Sequence, residues 1–413
     1  MKVVILSNTD SGGGAAIAAR RLNDALNNNG VHSKMLVVRK ITNDINVSEV
    51  PLSGLKRKIL NAFTYLEYLY QRKILLKDKT ISMFSTNEVG VDITQHPLVK
   101  EADVINIHWI NFGFLSFQEI ENLYALNKKI IWTLHDMWLF TGGCHYSGDC
   151  TQFHVDCKAC PLVYFKSTPQ TLWKKKMQLF SQNNMTVVAP SQWLVDESKL
   201  SSLLKNGKGF CVPNTLNSSL FTAHSKKEAC VKLKLNPDKK YILFSAANPN
   251  DVRKGFVYFV EAVKLLKQQY SNSEELELLV MGKEQKIFND LSLPVNNLGF
   301  IRSEEQSALI YSAASVFVIP SLEDNLPNTI MEALSCGTPC VGFNIGGIKE
   351  MIQTNVNGYL AEARNAKDLA LGIKDVLENG EQKNLSVQAR EWMMTHYSNK
   401  VIADKYLKVF NEC

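Results

Sequence analysis

Two acidic side chains eight positions apart, Asp324 and Glu332, stand within the stretch 320–350, PSLEDNLPNTIMEALSCGTPCVGFNIGGIKE. The first falls in a polar loop and the second a turn into the helix that follows, so both can reach one crevice. The plain alternative is an acid offsetting a helix dipole beside a surface glutamate. Arg253 and Lys254 form a second group, just before another helix start. Two cations there are repelled by the dipole, so local stability does not ask for them; a bound anion does. Simple surface cations are the competing reading. His135 and Asp136 close an apolar run, a doublet that is most often a satisfied structural pair. Gly12, Gly13 and Gly14 leave a loop bare of side chains, either a tight turn or a place where a sugar or phosphate meets the backbone.

Cys144, Cys150, Cys157 and Cys160 fall in the spacing C-x5-C-x6-C-x2-C. Four thiols so close, on a loop without an obvious core, suit a structural zinc closed by four thiolates. Two disulfides or unpaired thiols are the alternatives, and His145 and His154 are substitute ligands or surface residues. The remaining five cysteines are scattered, which is not the layout of a secreted disulfide scaffold.

The elements that must carry these residues alternate between strand and helix. Residues 2–7, 31–38, 102–108, 129–134 and 186–190 read as buried strands, and 15–29 as a helix stopped by Gly30. A hinge near 214–221 leads to a second set, with strands at 241–246, 276–281, 297–301, 315–320 and 340–343. Helices are expected at 256–268, 330–336, 368–377 and 386–410, with Asn328 or Thr329 capping the one that bears Glu332. Strand, loop and helix N-terminus in succession describe a parallel sheet that binds ligands at its C-terminal edge. Residues 55–79 form a basic amphipathic helix, read as a solvated helix with one core face or as a surface lying on anionic lipid.

At 413 residues the chain is long enough for two cored domains, and 45% hydrophobic with 21% charged residues is an ordinary globular composition. A net charge of +6 is too mild to imply nucleic acid. No apolar run has bilayer length, and residues 1–6 are too short for a signal peptide, so a cytoplasmic location is expected, with membrane association on the cytoplasmic face if 55–79 meets lipid. The Gly12–Gly14 spacing is not a dinucleotide fingerprint, which disfavours an oxidoreductase.

The stretch 320–350 resembles the donor-binding signature of the retaining glycosyltransferases of family 4. Glu332, Ala333, Gly337, Thr338, Pro339, Gly346, Gly347 and Glu350 match as they stand. Asp324 replaces the first glutamate, and Asn325-Leu326-Pro327 replaces a glycine-rich loop, where Pro327 offers no N–H. Lys254-Gly255 matches a second motif of the family; its arginine falls on Pro249, so Arg253 is inferred to take that role. Thr141–Cys150, TGGCHYSGDC, resembles an insert of a subset from bacterial polysaccharide clusters.

The resemblance implies an α/β GT-B fold, two Rossmann-like doubly wound domains facing across a cleft. Residues 1–213 would form the acceptor-side domain with its cysteine-rich insert at 141–162. Residues 214–385 would bind the nucleotide-sugar, and 386–413 would form a helix packing back on the first domain. It implies transfer of a sugar from a UDP- or GDP-sugar to a glycan or lipid-linked glycan, with retention and without a catalytic metal. Lys254, Arg253 and the amides at Asn328 and Thr329 would hold the diphosphate and Glu332 the ribose. Phe300 and Ile301 would carry the base, Asp324 and His135 would meet the sugar, and Gly12, Gly13 and Gly14 would face the acceptor. A nucleotide-sugar epimerase on the same fold and a non-catalytic sugar-nucleotide-binding subunit are the alternatives.

Overall fold

The computed structural model of the chain describes residues 1–77, 83–282 and 286–412. It divides into two compact units, Met1–Thr215 joined by the C-terminal stretch from Ile402, and Leu216–Val401. In the first, seven strands form one sheet in the order β3-β2-β1-β4-β5-β6-β7. They are β1 Lys2–Thr9, β2 His32–Arg39, β3 Val47–Glu49, β4 Val104–Ile107, β5 Lys129–Thr133, β6 Thr186–Ala189 and β7 Lys208–Cys211. All neighbours run parallel.

The second unit holds a six-stranded sheet ordered β10-β9-β8-β11-β12-β13. Its strands are β8 Lys240–Ser245, β9 Leu276–Met281, β10 Val295–Gly299, β11 Val316–Ile319, β12 Cys340–Phe343 and β13 Gly358–Ala361, again all parallel. The central strands are apolar on both faces because helices cover both. All four residues of β11 are buried, each contributing about 1.5–3 kcal/mol by leaving water. In each sheet the strand order reverses once at the middle, between β1 and β4 and between β8 and β11. Sheets of this kind bind ligands beside the loops that leave the C-terminal ends of those strands.

Three expected elements differ. The helix expected over 386–410 is two helices, Leu385–Tyr397 and Asn399–Glu412, because Ser398 turns extended and bridges to Leu216. The former packs on the helix Asn328–Ser335 within the second unit, while the stretch from Ile402 joins the first. There the Tyr406 hydroxyl lies 3.2 Å from that of Thr133, and Lys129 Nζ donates to the Phe410 carbonyl at 2.7 Å. The basic helix runs from Gly54 to Tyr70 and continues as a π turn, Gln71–Leu75; residues 78 and 79 lie outside the described residues. Its expected core face is missing, since none of Gly54–Tyr70 is buried. The helix bearing Glu332 is capped by Pro327 rather than Asn328 or Thr329, and Pro327 adds no side-chain hydrogen bond.

Candidate functional site

In the second unit the loops after β8 and β11 flank the reversal point and are stitched together. Leu322 N–H donates to the Arg253 carbonyl at 2.7 Å, and Lys254 Nζ lies 2.7 Å from Asp324 Oδ2. The junction is tight at Gly255, which has φ +62°; a Cβ there would come 1.8 Å from the Pro320 carbonyl oxygen. Gly346 plays the matching part on the other side, with φ +49° and a would-be Cβ 2.3 Å from the Asp324 carbonyl oxygen. Gly347 N–H donates to that same carbonyl at 3.1 Å. Two glycines therefore let three loops close on Asp324, and any side chain at either position would push them apart.

The cations are compensated locally, which the sequence reading did not foresee. Arg253 Nη2 pairs with Asp251 Oδ2 at 2.8 Å, and Lys254 with Asp324. The dipole repulsion that suggested a bound anion is thus offset in part by carboxylates of the site itself. Both pairs are partly solvent-accessible.

Glu332 lies on the helix that begins just past this loop and is held from the neighbouring helix. Tyr311 OH donates to its Oε2 at 3.1 Å. Burial first, then the Glu332 charge, push the Tyr311 phenol well above its usual range, so it stays a donor. The structure brings Lys254 to Asp324 and Glu332 to Tyr311, as two separate contacts. Asn328 and Thr329 begin the helix itself, Asn328–Ser335. Phe300 and Ile301 follow β10; Phe300 is exposed and Ile301 packs on the core, while the Gly299 carbonyl accepts from Gly282 N–H at 2.9 Å.

In the first unit, Gly12, Gly13, Gly14, His108 and His135 all lie past the C-terminal ends of β1, β4 and β5, again at the reversal point. Gly12, Gly13 and Gly14 are exposed. Nothing lies within 4 Å of a Cβ built on Gly13, so packing does not demand that glycine. Each member of the His135–Asp136 doublet also has a partner from elsewhere in the chain. His135 Nε2 lies 2.9 Å from His108 Nδ1, whereas Asp136 Oδ2 accepts from His145 Nδ1 at 2.7 Å and Trp109 Nε1 at 3.1 Å. Burial pulls His135 down to about 4 against the opposing pull of Asp136, and burial with His135 pulls His108 down too. Both rings are therefore neutral near pH 7. Burial pushes the Asp136 carboxyl upward, but His145 and the hydrogen bonds from His145, Trp138 and Trp109 outweigh it and hold it below its usual range.

His145, expected as a substitute metal ligand or a surface residue, is neither. It is fully buried, with Nε2 2.8 Å from Ser85 Oγ. Ser85, His145 and Asp136 follow one another as in a hydrolase triad, yet Ser85 and His145 are sealed from solvent. The chain pins the insert to the edge of the first sheet. No spacing signal could have found it, because Ser85 is 60 positions away from His145.

The cysteine insert also has the core that the sequence seemed to deny it. Cys144 and Cys160 pack with Leu75, Leu76, Phe84, Val163 and Leu172. All four thiols line one cavity, closed also by Phe84, Phe153 and Pro169, and no disulfide joins them. The donor set is that of a structural zinc. Among the described residues, however, no three histidine, cysteine or acidic side chains are arranged to hold a metal.

Comparison with known proteins agrees with this architecture. Residues 239–379 match the family described as glycosyl transferases group 1. An uncharacterized glycosyltransferase of Haemophilus influenzae is 22% identical over 77% of this chain and 82% of its own length. The N,N'-diacetylbacillosaminyl-diphospho-undecaprenol alpha-1,3-N-acetylgalactosaminyltransferase of Campylobacter jejuni is 28% identical over 46% of this chain, and the match spans 50% of that relative. Anabaena HepE, solved in complex with UDP-glucose, superposes with a TM-score of 0.64 over 100% of both chains at 14% identity. The chain has the GT-B fold, and residues 239–379 of its second unit carry a glycosyl transferases group 1 domain.

Proposed function

We propose that the protein transfers a sugar from a nucleotide-sugar to a hydroxyl of a glycan or lipid-linked glycan, with retention of anomeric configuration, in the building of a bacterial surface polysaccharide. The observation that carries this reading is the Lys254–Asp324 contact at the reversal point of the second sheet, inside the group 1 domain. Support for the donor class comes from HepE, which binds UDP-glucose; support for the acceptor class comes from the Campylobacter relative, which by its name acts on an undecaprenol-linked sugar.

As the glycosidic bond to the diphosphate breaks, negative charge grows on the departing oxygens. Lys254, Arg253 and the first amides of the helix Asn328–Ser335 offset that charge. Asp324 turns its carboxylate from Lys254 to the sugar once phosphate takes its place. Glu332, oriented by Tyr311, accepts hydrogen bonds from the ribose hydroxyls. The backbone at Phe300 and Ile301 meets the base, and UDP or GDP fills that role. Within the first unit, His135, neutral and beside His108, is the candidate for a polar contact with substrate, and Gly12, Gly13 and Gly14 leave their loop bare of side chains. None of these residues is assigned as a nucleophile, so the acceptor hydroxyl attacks from the face that the diphosphate leaves: its oxygen bonds to the anomeric carbon as the bond to the diphosphate breaks, and its proton passes to the departing phosphate oxygen.

A structural zinc among Cys144, Cys150, Cys157 and Cys160 belongs to the same reading, supported by four thiols around one cavity. The reaction is placed on the cytoplasmic side, where nucleotide-sugars are made. The test is incubation with UDP- and GDP-sugars and a lipid-linked glycan acceptor, with the product's anomeric configuration read by NMR. A product of inverted configuration, or turnover of donor to its epimer without acceptor, overturns the reading.

A further inference from the structure

The helix Gly54–Tyr70 turns a mostly polar side to the protein. Arg57, Leu60, Thr64, Glu67 and Gln71 recur every three or four residues and form the side turned toward the protein. Four of those five are polar, and Arg57, Glu67 and Gln71 are tied down. Arg57 Nη1 pairs with Glu49 Oε1 at 2.8 Å, and Glu67 Oε1 accepts from Thr86 Oγ1 and from Gln71 Nε2. Leu60 is the apolar member and packs on the core of the first unit. Beyond the π turn, Leu75 and Leu76 are buried, so the far end is anchored as well.

A second stripe, Leu55, Ile59, Phe63, Leu66 and Tyr70, spaced by four, four, three and four, lies about a third of a turn round the helix from it. Every one of them is exposed, Leu55 by 70% and Phe63 by 56%. A surface helix ordinarily turns such a stripe to the core and its polar side to water. Here the polar contacts hold a different side of the helix to the protein, so an apolar ridge stands in solvent unless something covers it.

The charges decide what that is. At about 100° of rotation per residue, Lys56 and Lys58 fall on either side of the apolar stripe. Both are exposed, as are Lys73 and Lys77 just beyond the helix. The helix's acid, Glu67, faces inward. A second copy of the chain laid on this ridge by a two-fold axis, with the helices antiparallel, would set Lys56 and Lys58 against the partner's cations, with no acid on the ridge to relieve them. An anionic bilayer surface meets every feature: headgroup phosphates for the lysines, the acyl boundary for Phe63 and Leu66, and the interfacial zone for the tyrosines. Among the described residues no helix is long and apolar enough to cross a membrane, so the helix lies on the surface.

We propose that the helix Gly54–Tyr70 docks the protein on anionic lipid, through its outward apolar stripe and the lysines that flank it. The proposal rests on the mounting of the helix and holds whatever donor the second unit takes. Sedimentation of the full chain with phosphatidylcholine vesicles, with and without phosphatidylglycerol, tests it. Binding to the anionic vesicles should exceed that to the neutral ones by roughly tenfold or more and fall as salt is added. Phe63→Ser with Leu66→Ser should abolish it, and Lys56→Glu with Lys58→Glu should remove the preference for anionic lipid. Thermal melts close to wild type would show that these exposed substitutions leave the fold intact. Wild-type protein that ignores both kinds of vesicle overturns the proposal without recourse to variants. So does a solution dimer that Phe63→Ser with Leu66→Ser dissociates, since a second copy would then be what covers the ridge.

Discussion

Lys254 Nζ stands 2.7 Å from the Asp324 carboxylate, although the residues come from loops on either side of the point where the second sheet reverses its strand order. The contact joins a cation that would stabilise a departing diphosphate to an acid that would meet the sugar. Removing the cation removes a positive charge aimed at the departing diphosphate. Lys254→Ala should therefore lower the transfer rate by about 10²–10³-fold. Lys254→Arg should recover part of that loss. Asp324→Asn keeps the shape but not the charge and should cost activity of its own. Initial rates for these variants, with the double variant, give the coupling between the two side chains; additive losses would show that they work independently.

Gly255 and Gly346 are held at positive φ with carbonyl oxygens where a side chain would begin. Gly255→Ala and Gly346→Ala should each destabilise the second unit by about 1–3 kcal/mol and also depress donor binding, since relief of the clash moves the loop that carries Lys254 or Asp324. Urea unfolding with donor titration checks both effects. Unchanged stability together with unchanged affinity would mean that the loops do not need this close approach.

How far these features were legible follows from how local they are. The βα alternation and the cores of β1, β8 and β11 were readable because a strand buried on both faces is apolar throughout. Gly255 and Lys254 could be read as a motif, but that Lys254 would meet Asp324 could not, because the two are 70 positions apart. The hydrogen bond from His145 to Asp136 could not be read either, since adjacency points only to His135. The helix 55–79 was read as amphipathic, and that reading alone could not say which stripe would face the protein. The answer lay in Glu49 and Thr86, polar partners that no periodicity reveals.

His135 bears on acid stability. Its ordinary value of 6.5 falls to about 4 in the fold, chiefly through burial. Between those values the unfolded chain binds the proton and the folded one does not, so this part of the stability is whole above pH 6.5 and is lost as pH falls toward 4. The window is worth on the order of 3 kcal/mol, and His108 acts with the same sign. Urea unfolding at a series of pH values should show a shallower acid loss in His135→Gln than in wild type. An identical slope would mean that the ring protonates in place without cost.

The four-cysteine insert is proposed to hold zinc, and metal analysis of protein purified without added zinc should find about one equivalent per chain. Cys157→Ser should lower that content and loosen the insert, read as faster proteolysis between 141 and 162. Protein with no metal and an undisturbed insert would leave the apolar core around Phe84 and Leu172 as what holds it.

The measurement that reaches the central claim most directly is calorimetric binding of UDP- and GDP-sugars to the full chain, compared with Lys254→Ala and Glu332→Ala. One nucleotide-sugar should bind the wild type, and each substitution should weaken it by roughly tenfold or more, since each removes a charge-assisted contact. Equal affinity in all three proteins, or no affinity for any nucleotide-sugar in the wild type, would contradict the assignment of this site.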